Sequence, residues 1–331
     1  MKQHGELALI ERIRLRARST LPASRKRLVP LGIGDDCAIL APPAGSEVVV
    51  TTDFSLEGRH FTLDRHPAAS IGHRVLARGL SDLAAMGAQP LSVFLSLALP
   101  RSLSLNTRWL DGFLDGLLDL ARKAKAPLAG GDTSESPSGQ LLLDIVALGT
   151  LPAGTALRRQ GARPGDRIYV SGALGGAAAE LAVVLSGKRS RQPSHPHLYP
   201  EPRLRTGWML RERRLATACM DLSDGLSTDL AHLCRASGVA AEIMLDQLPL
   251  HPLSRRASQP ERLRMALHGG EDYELLFTAP ADRKLPRSLG GVPLTCIGTI
   301  VSARPKSPIL TQIDNAGRRS ALLPGGWEHL R

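Results

Sequence analysis

Aromatic residues are few in this chain: three Trp, three Tyr and five Phe among 331 residues, 3% in all. So thin a supply argues against a stacking platform for single-stranded nucleic acid, which sets successive bases on aromatic rings. Cysteine is sparse too. Cys37, Cys219, Cys234 and Cys296 lie far apart, with no Cys-x-x-Cys pair and no histidine at zinc-finger spacing, so they read as small core residues of a reducing compartment. No run approaches the ~18 apolar residues of a membrane span. The N-terminal MKQHGELALIERIRLRARST reads as a charged amphipathic helix without the apolar stretch of a signal peptide, so a cytoplasmic protein is expected.

Familiar catalytic signatures are missing as well. Gly187-Lys188 has Ala182 where a P-loop needs its first glycine and Arg189 where it needs Ser or Thr. Gly32-Ile33-Gly34 is followed by acids instead of completing a dinucleotide fingerprint. No H-E-x-x-H, G-x-S-x-G or protein-kinase catalytic loop occurs, so hydride transfer, metalloproteolysis and serine hydrolysis lose support.

What is present is size, positive charge and dispersed acids. A chain of 331 residues accommodates two domains at roughly 100–200 residues each. The net charge of +11 comes from 35 arginines against 7 lysines, clustered at Arg12–Arg18, Arg25–Arg27 and Arg211–Arg214. It raises nucleic acid, a membrane surface or phosphorylated small molecules as partners. A basic nucleic-acid-binding protein is therefore the rival from another class, with no binding motif to support it.

Periodicity predicts a mixed α/β chain. Helices are expected at 5–18, 67–87, 104–125, 203–214 and 225–237. Strands are expected at Leu31–Leu40, Glu47–Thr52, Leu91–Leu99, Ala126–Ala129, Leu141–Leu148, Arg167–Val170, Ala216–Met220, Val239–Leu245, Tyr273–Thr278 and Pro293–Ile300. The Gly130-Gly131-Asp132-Thr133 segment reads as a turn, and 187–202 as an exposed Pro-rich loop. The first α/β unit ends near residue 150, giving domains at 1–150 and 151–331.

The acids carry the chemistry. Asp35 and Asp36 stand side by side in a glycine-rich stretch with Arg59 as its one cation, and such neighbours repel unless a cation lies between them. Asp36, Asp53, Asp82, Asp132 and Asp221 each sit beside Gly, Ser or Thr, or a residue or two away. Magnesium takes oxygen donors and pairs one or two carboxylates with waters and substrate phosphates, so this pattern suits it. Taken singly, each is equally a turn residue or a cap, and Asp224 before Gly225 is a natural N-cap. The Ser171–Gly176 turn either presents N–H groups to a phosphate or packs helix against strand. Arg158 and Arg159 either fork a nucleotide phosphate or belong to a solvated loop.

At these residues the chain resembles the thiamine-monophosphate kinase family, within the superfamily of aminoimidazole ribonucleotide synthetase and selenophosphate synthetase. The likeness rests on GIGDDCA (32–38), TTD (51–53), GRHF (58–61), LSDLAAMGA (80–88), GGDT (130–133), RQGARPGD (159–166), MDLSDGL (220–226), GGEDYELLF (269–277) and GGWEHL (325–330). It implies an α+β, two-domain synthetase-like fold whose N-terminal domains form a β-barrel across a homodimer. It implies ATP-dependent phosphorylation of thiamine monophosphate to thiamine diphosphate with several Mg2+ ions, without nucleic acid or membrane as partner. By position, Asp36, Thr51, Thr52, Asp53, Asp82, Asp132, Asp221 and Asp224 correspond to magnesium ligands. Gly131, Asp132, Arg159 and Ser223 correspond to ATP contacts, and His60, Glu271 and Trp327 to the thiamine-phosphate side. No nucleophile is implied. Other ATP-using enzymes of the superfamily are the near alternative, but the cysteines that mark two of them are missing here.

Overall fold

The computed structural model describes residues 6–187 and 194–327. It divides into two compact units, one of residues up to Leu83 plus Ala88–Gly154, the other of Ala84–Gly87 plus Thr155 onward.

The first unit contains α1 (Glu6–Ala17), β1 (Ser46–Leu56), most of α2 (Ala68–Ala85), β2 (Gln89–Leu99), α3 (Arg101–Ser104), α4 (Thr107–Ala124), β3 (Leu128–Glu135) and β4 (Leu142–Pro152). Its sheet has the order β1-β4-β2-β3, antiparallel except for the parallel pair β2–β3. Alternation in β4 sends Leu143, Ile145 and Ala147 into the core. Gly79 of α2 lies directly over Ala147, Ile145 and Thr51, so α2 covers that face. The other face of β1 leaves Val48, Val50 and Phe54 at 43%, 63% and 66% exposure.

Several expectations change here. The predicted helix 104–125 is α4 (Thr107–Ala124), begun by the Asn106 side chain, which accepts from the Trp109 N–H at 3.0 Å, and the short α3 (Arg101–Ser104) precedes it. Leu31–Leu40 forms no strand, only the isolated bridges Leu31–Ile39 and Ile33–Asp35. The Asp36 N–H turns to the Asp35 carboxylate at 2.9 Å, a local bond that competes with a ladder. Gly130–Thr133 is no turn but part of β3. Of the arginines, Arg12 and Arg16 pair with Asp111 on α4, and Arg14 with Glu11, so this basic cluster ties helices together. Cys37 is exposed and not a core residue, while Cys219 and Cys234 are buried, with burial pushing both thiols up.

The second unit contains β5 (Arg167–Ser171), α5 (Gly176–Leu185), α6 (Leu204–Glu212), β6 (Ala218–Asp221), α7 (Leu226–Ser237), β7 (Val239–Met244), α8 (Gln259–His268), β8 (Leu275–Ala279), β9 (Ser288–Leu289), β10 (Val292–Ser302), β11 (Leu310–Ile313) and β12 (Arg319–Ala321). The sheet runs β12-β11-β7-β10-β5-β8-β6, with β9 beside β10. Alternate residues of the same strands feed two cores. Ile168, Val170 and Leu276 join Leu226, Leu230 and Leu233 of α7, while Tyr169, Leu275 and Phe277 join Leu210 of α6. Tyr273 does not open β8 as expected, because Glu271 and Tyr273 hold φ of 66° and 48°, outside strand geometry. Within the expected exposed loop, residues 188–193 lie outside the described residues. His197 and Pro200 are buried, and the His197 and Leu198 N–H groups donate to Glu180.

Candidate active site

In the first unit the acids fall into three groups. Asp35, Asp36 and Asp132 are exposed on a cleft of about 900 Å³ that the 32–38 loop and the Gly130–Thr133 part of β3 line. Gly131 makes this possible. Its φ is 150°, and a Cβ there would sit 1.9 Å from the Leu95 carbonyl oxygen, so no other residue lets β3 come this close to β2.

The second group lies between β1 and α2. Thr51 and Asp53 are two apart on the covered face of β1, and Arg78 and Asp82 are one turn apart on α2. Thr51 Oγ1 donates to the Asp82 carboxylate, and Arg78 Nη2 donates to Asp53 Oδ1 at 3.3 Å. Burial pushes the Asp53 carboxyl up to about 6; Arg78 opposes this, and the negative charges of Asp82 and Asp144 add to it. The third group is on the opposite face, where Thr52 Oγ1 donates to Asp144 Oδ1 at 2.7 Å. Neither Asp144 nor Arg78 was expected from sequence. The signal for Asp144 was a lone carboxylate in the apolar alternation Leu142, Asp144, Val146, Leu148.

His60 closes the segment after β1. Its Nδ1 accepts from the Leu56 N–H at 3.0 Å, which leaves the ring proton on Nε2, and its carbonyl accepts from Arg74 at 2.9 Å.

In the second unit, Asp221 is buried at the end of β6, and Ser223 and Asp224 form the approach to α7. Asp224 is not the side-chain cap of α7. The N-cap is Gly225 at φ 112°, and Asp229 inside the helix accepts from the Asp224 and Gly225 N–H groups at 3.1 Å each. Burial first, then Asp221 and Asp224, push Asp229 up to about 8. The Glu271 N–H donates to the Ser223 carbonyl at 2.8 Å, and the Glu271 carboxylate lies 3.2 Å from His197 Nδ1. Two left-handed non-glycine residues, Glu271 and Tyr273, mark strain of the sort concentrated at functional sites. Trp327 is 47% exposed, and its N–H donates to the Asp224 carbonyl at 3.0 Å.

The Ser171–Gly176 turn is resolved differently from a phosphate cradle. The Gly175 and Ala177 N–H groups donate to the Asp272 carboxylate at 2.7 and 3.1 Å, so this helix start already holds an anion of its own chain. Arg158 and Arg159 are both exposed.

The donors are carboxylate and hydroxyl oxygens, the set a hard divalent cation takes, and Thr51, Asp53 and Asp82 bring them together between β1 and α2. The residues therefore fit magnesium. Among the described residues no three His, Cys, Asp or Glu side chains already form a cage. An ion that completes its shell with substrate phosphates and waters needs none.

Comparison with known proteins gives the family of the chain. The family model described as "AIR synthase related protein, N-terminal domain" matches residues 34–151, and the corresponding C-terminal domain model matches 163–309. The thiamine-monophosphate kinase of Escherichia coli K12 is 43% identical over 310 residues, 90% of this chain and 91% of that one. A crystal structure of thiamine-monophosphate kinase from Stenotrophomonas maltophilia matches at TM-score 0.78 and 39% identity, covering 91% of this chain and 95% of that chain. A structure described as "AaThiL complexed with AMPPCP and TMP" matches at TM-score 0.75 and 29% identity, covering 100% and 98%. The fold is thus the two-domain α/β fold of the AIR synthase-related class. Within that class the chain belongs to the thiamine-monophosphate kinase family and is an enzyme, a kinase.

Proposed function

We propose that this chain transfers a phosphoryl group from ATP directly to the phosphate of thiamine monophosphate, the last step of thiamine diphosphate biosynthesis. The observation that carries the proposal is the half-buried cluster of Thr51, Asp53 and Asp82, in a chain similar over its whole length to a protein whose structure is described as complexed with AMPPCP and TMP.

Asp36, Thr51, Thr52, Asp53, Asp82, Asp132, Asp221 and Asp224 would hold magnesium. Bound magnesium neutralises the phosphates and fixes their in-line approach, which is most of what phosphoryl transfer asks of a protein. Gly131 and Ser223 offer backbone or hydroxyl groups to ATP, and exposed Arg159 offers its guanidinium. His60, Glu271 and Trp327 serve the thiamine-phosphate side, with the half-exposed indole available to stack on a heterocycle. The acceptor is already an anionic phosphate, so neither a strong base nor a protein nucleophile is required. Cytoplasmic action accords with helices too short or too polar to cross a membrane among the described residues. The exposed Val48, Val50 and Phe54 supply the apolar face on which a second copy closes the β-barrel of a homodimer.

Rapid-quench labelling with γ-labelled ATP tests the direct route. Label should pass to thiamine diphosphate without appearing on the protein. A phosphorylated protein formed and consumed at the turnover rate would refute it.

A further inference from the structure

Trp327 leaves half its ring in the open, yet its main chain is fixed at three consecutive residues. The Trp327 N–H donates to the Asp224 carbonyl at 3.0 Å. The Gly326 N–H donates to Thr228 Oγ1 at 3.1 Å, and the Gly325 N–H to Ser227 Oγ at 3.2 Å. Ser227 Oγ also lies 2.8 Å from His268 Nδ1, where burial, then Arg264, hold the imidazole below its ordinary range. With the ring proton on Nε2, Nδ1 accepts a hydrogen bond from the Ser227 O–H, and the oxygen's lone pairs remain for the Gly325 N–H.

The fit is close as well as hydrogen-bonded. A Cβ on Gly326 would come 2.1 Å from the Asp224 carbonyl oxygen and 2.7 Å from Thr228 Oγ1. The segment therefore lies flat on the first turn of α7, with no room for a side chain beneath it. Residues 322–327 belong to no helix or strand, so no ladder of their own orders them. Leu322 is tied to the Leu310 carbonyl at 3.0 Å, and Gly325–Trp327 are held by the bonds to α7 and its approach.

We propose that Ser227 and Thr228 are positioning residues, whose hydroxyls hold Gly325–Trp327 as a strap and so set the affinity for thiamine monophosphate. The proposal rests on the reading of Trp327 given above. Ordering the strap in advance removes a cost that binding would otherwise bear, and the benefit goes to the substrate that meets the ring. Asp229 holds the backbone of the same turn by separate bonds, so the strap can be released without dismantling the turn.

The test is steady-state kinetics and calorimetric binding on the full chain with Ser227→Ala/Thr228→Val, Gly326→Ala and Thr228→Ser. The double variant and Gly326→Ala should each raise KM and Kd for thiamine monophosphate about tenfold, with KM for ATP and kcat within about twofold. Thr228→Ser, which keeps the hydroxyl, should stay near the starting protein. An unchanged KM for thiamine monophosphate in the double variant overturns the proposal. So does a joint loss of kcat, both KM values and thermal midpoint, since the hydroxyls would then support the fold and not the ring. Trp327→Ala runs in parallel. If it leaves the affinity for thiamine monophosphate untouched, the substrate reading of Trp327 fails by itself; if it weakens that affinity while the double variant does not, only the strap fails.

Discussion

At the scale of single side chains, the charge of Asp53 costs free energy first through burial and then through the nearby charges of Asp82 and Asp144. Arg78 offsets part of that cost, and a bound cation would offset the rest. Asp53→Asn keeps the volume and removes the charge. It should lower kcat/KM on the order of a hundredfold or more, about 3 kcal/mol, while circular dichroism and thermal midpoint show a folded protein. Asp132→Asn should do the same from the cleft, and a fully active variant would remove that residue from the proposed metal set. The acids at these positions were legible in the sequence because each lies beside Gly, Ser or Thr. Asp144 and Arg78 were not, because their relevance comes from register and helix phase. Thr52 meets Asp144 only through the antiparallel pairing of β1 with β4, and Arg78 meets Asp53 only where α2 crosses the sheet.

At the scale of elements, helix starts separate what sequence can tell from what it cannot. The helix expected at 104–125 is α4, and the Asn106 cap, which apolar periodicity does not register, fixes where it begins. Asn106→Ala should cost about 1 kcal/mol, read as a lower urea midpoint. The start of α5 was legible as a glycine turn, but its anion, Asp272, comes from 95 residues away. Burial pushes that carboxyl up to about 7 from 3.8, against the pull of the Gly175 and Ala177 N–H groups. The folded state thus keeps a proton that the unfolded chain releases. The stability this contributes is whole below about pH 4 and is lost as pH rises to about 7. Asp272→Asn should flatten the decline of stability over that window, as measured by urea melts at successive pH values. A slope equal to that of the parent would show that Asp272 titrates normally. The Leu31–Leu40 stretch shows the converse error. Its apolar residues suggest a strand, but two glycines and two adjacent carboxylates leave only isolated bridges.

For the whole molecule, two α+β units were foreseeable from element order, whereas the order of strands was not. The parallel pairing of β2 with β3, and the place of β10 between β7 and β5, depend on contacts between distant segments that no local pattern records. The exposed row Val48, Val50 and Phe54 calls for cover on that scale. Val50→Lys with Phe54→Lys should turn a dimer into a monomer in sedimentation equilibrium; a parent protein that is already monomeric would contradict the proposed pairing. If the excess positive charge serves phosphorylated substrates, as proposed, magnesium with ADP should raise the thermal midpoint and duplex DNA should leave it unchanged. The central claim is the reaction itself. Purified protein mixed with ATP, magnesium and thiamine monophosphate should yield thiamine diphosphate and ADP in equal amounts, and chelating the metal should stop both. Absence of thiamine diphosphate from a folded, nucleotide-binding preparation, or its formation at full rate without divalent metal, would contradict the account.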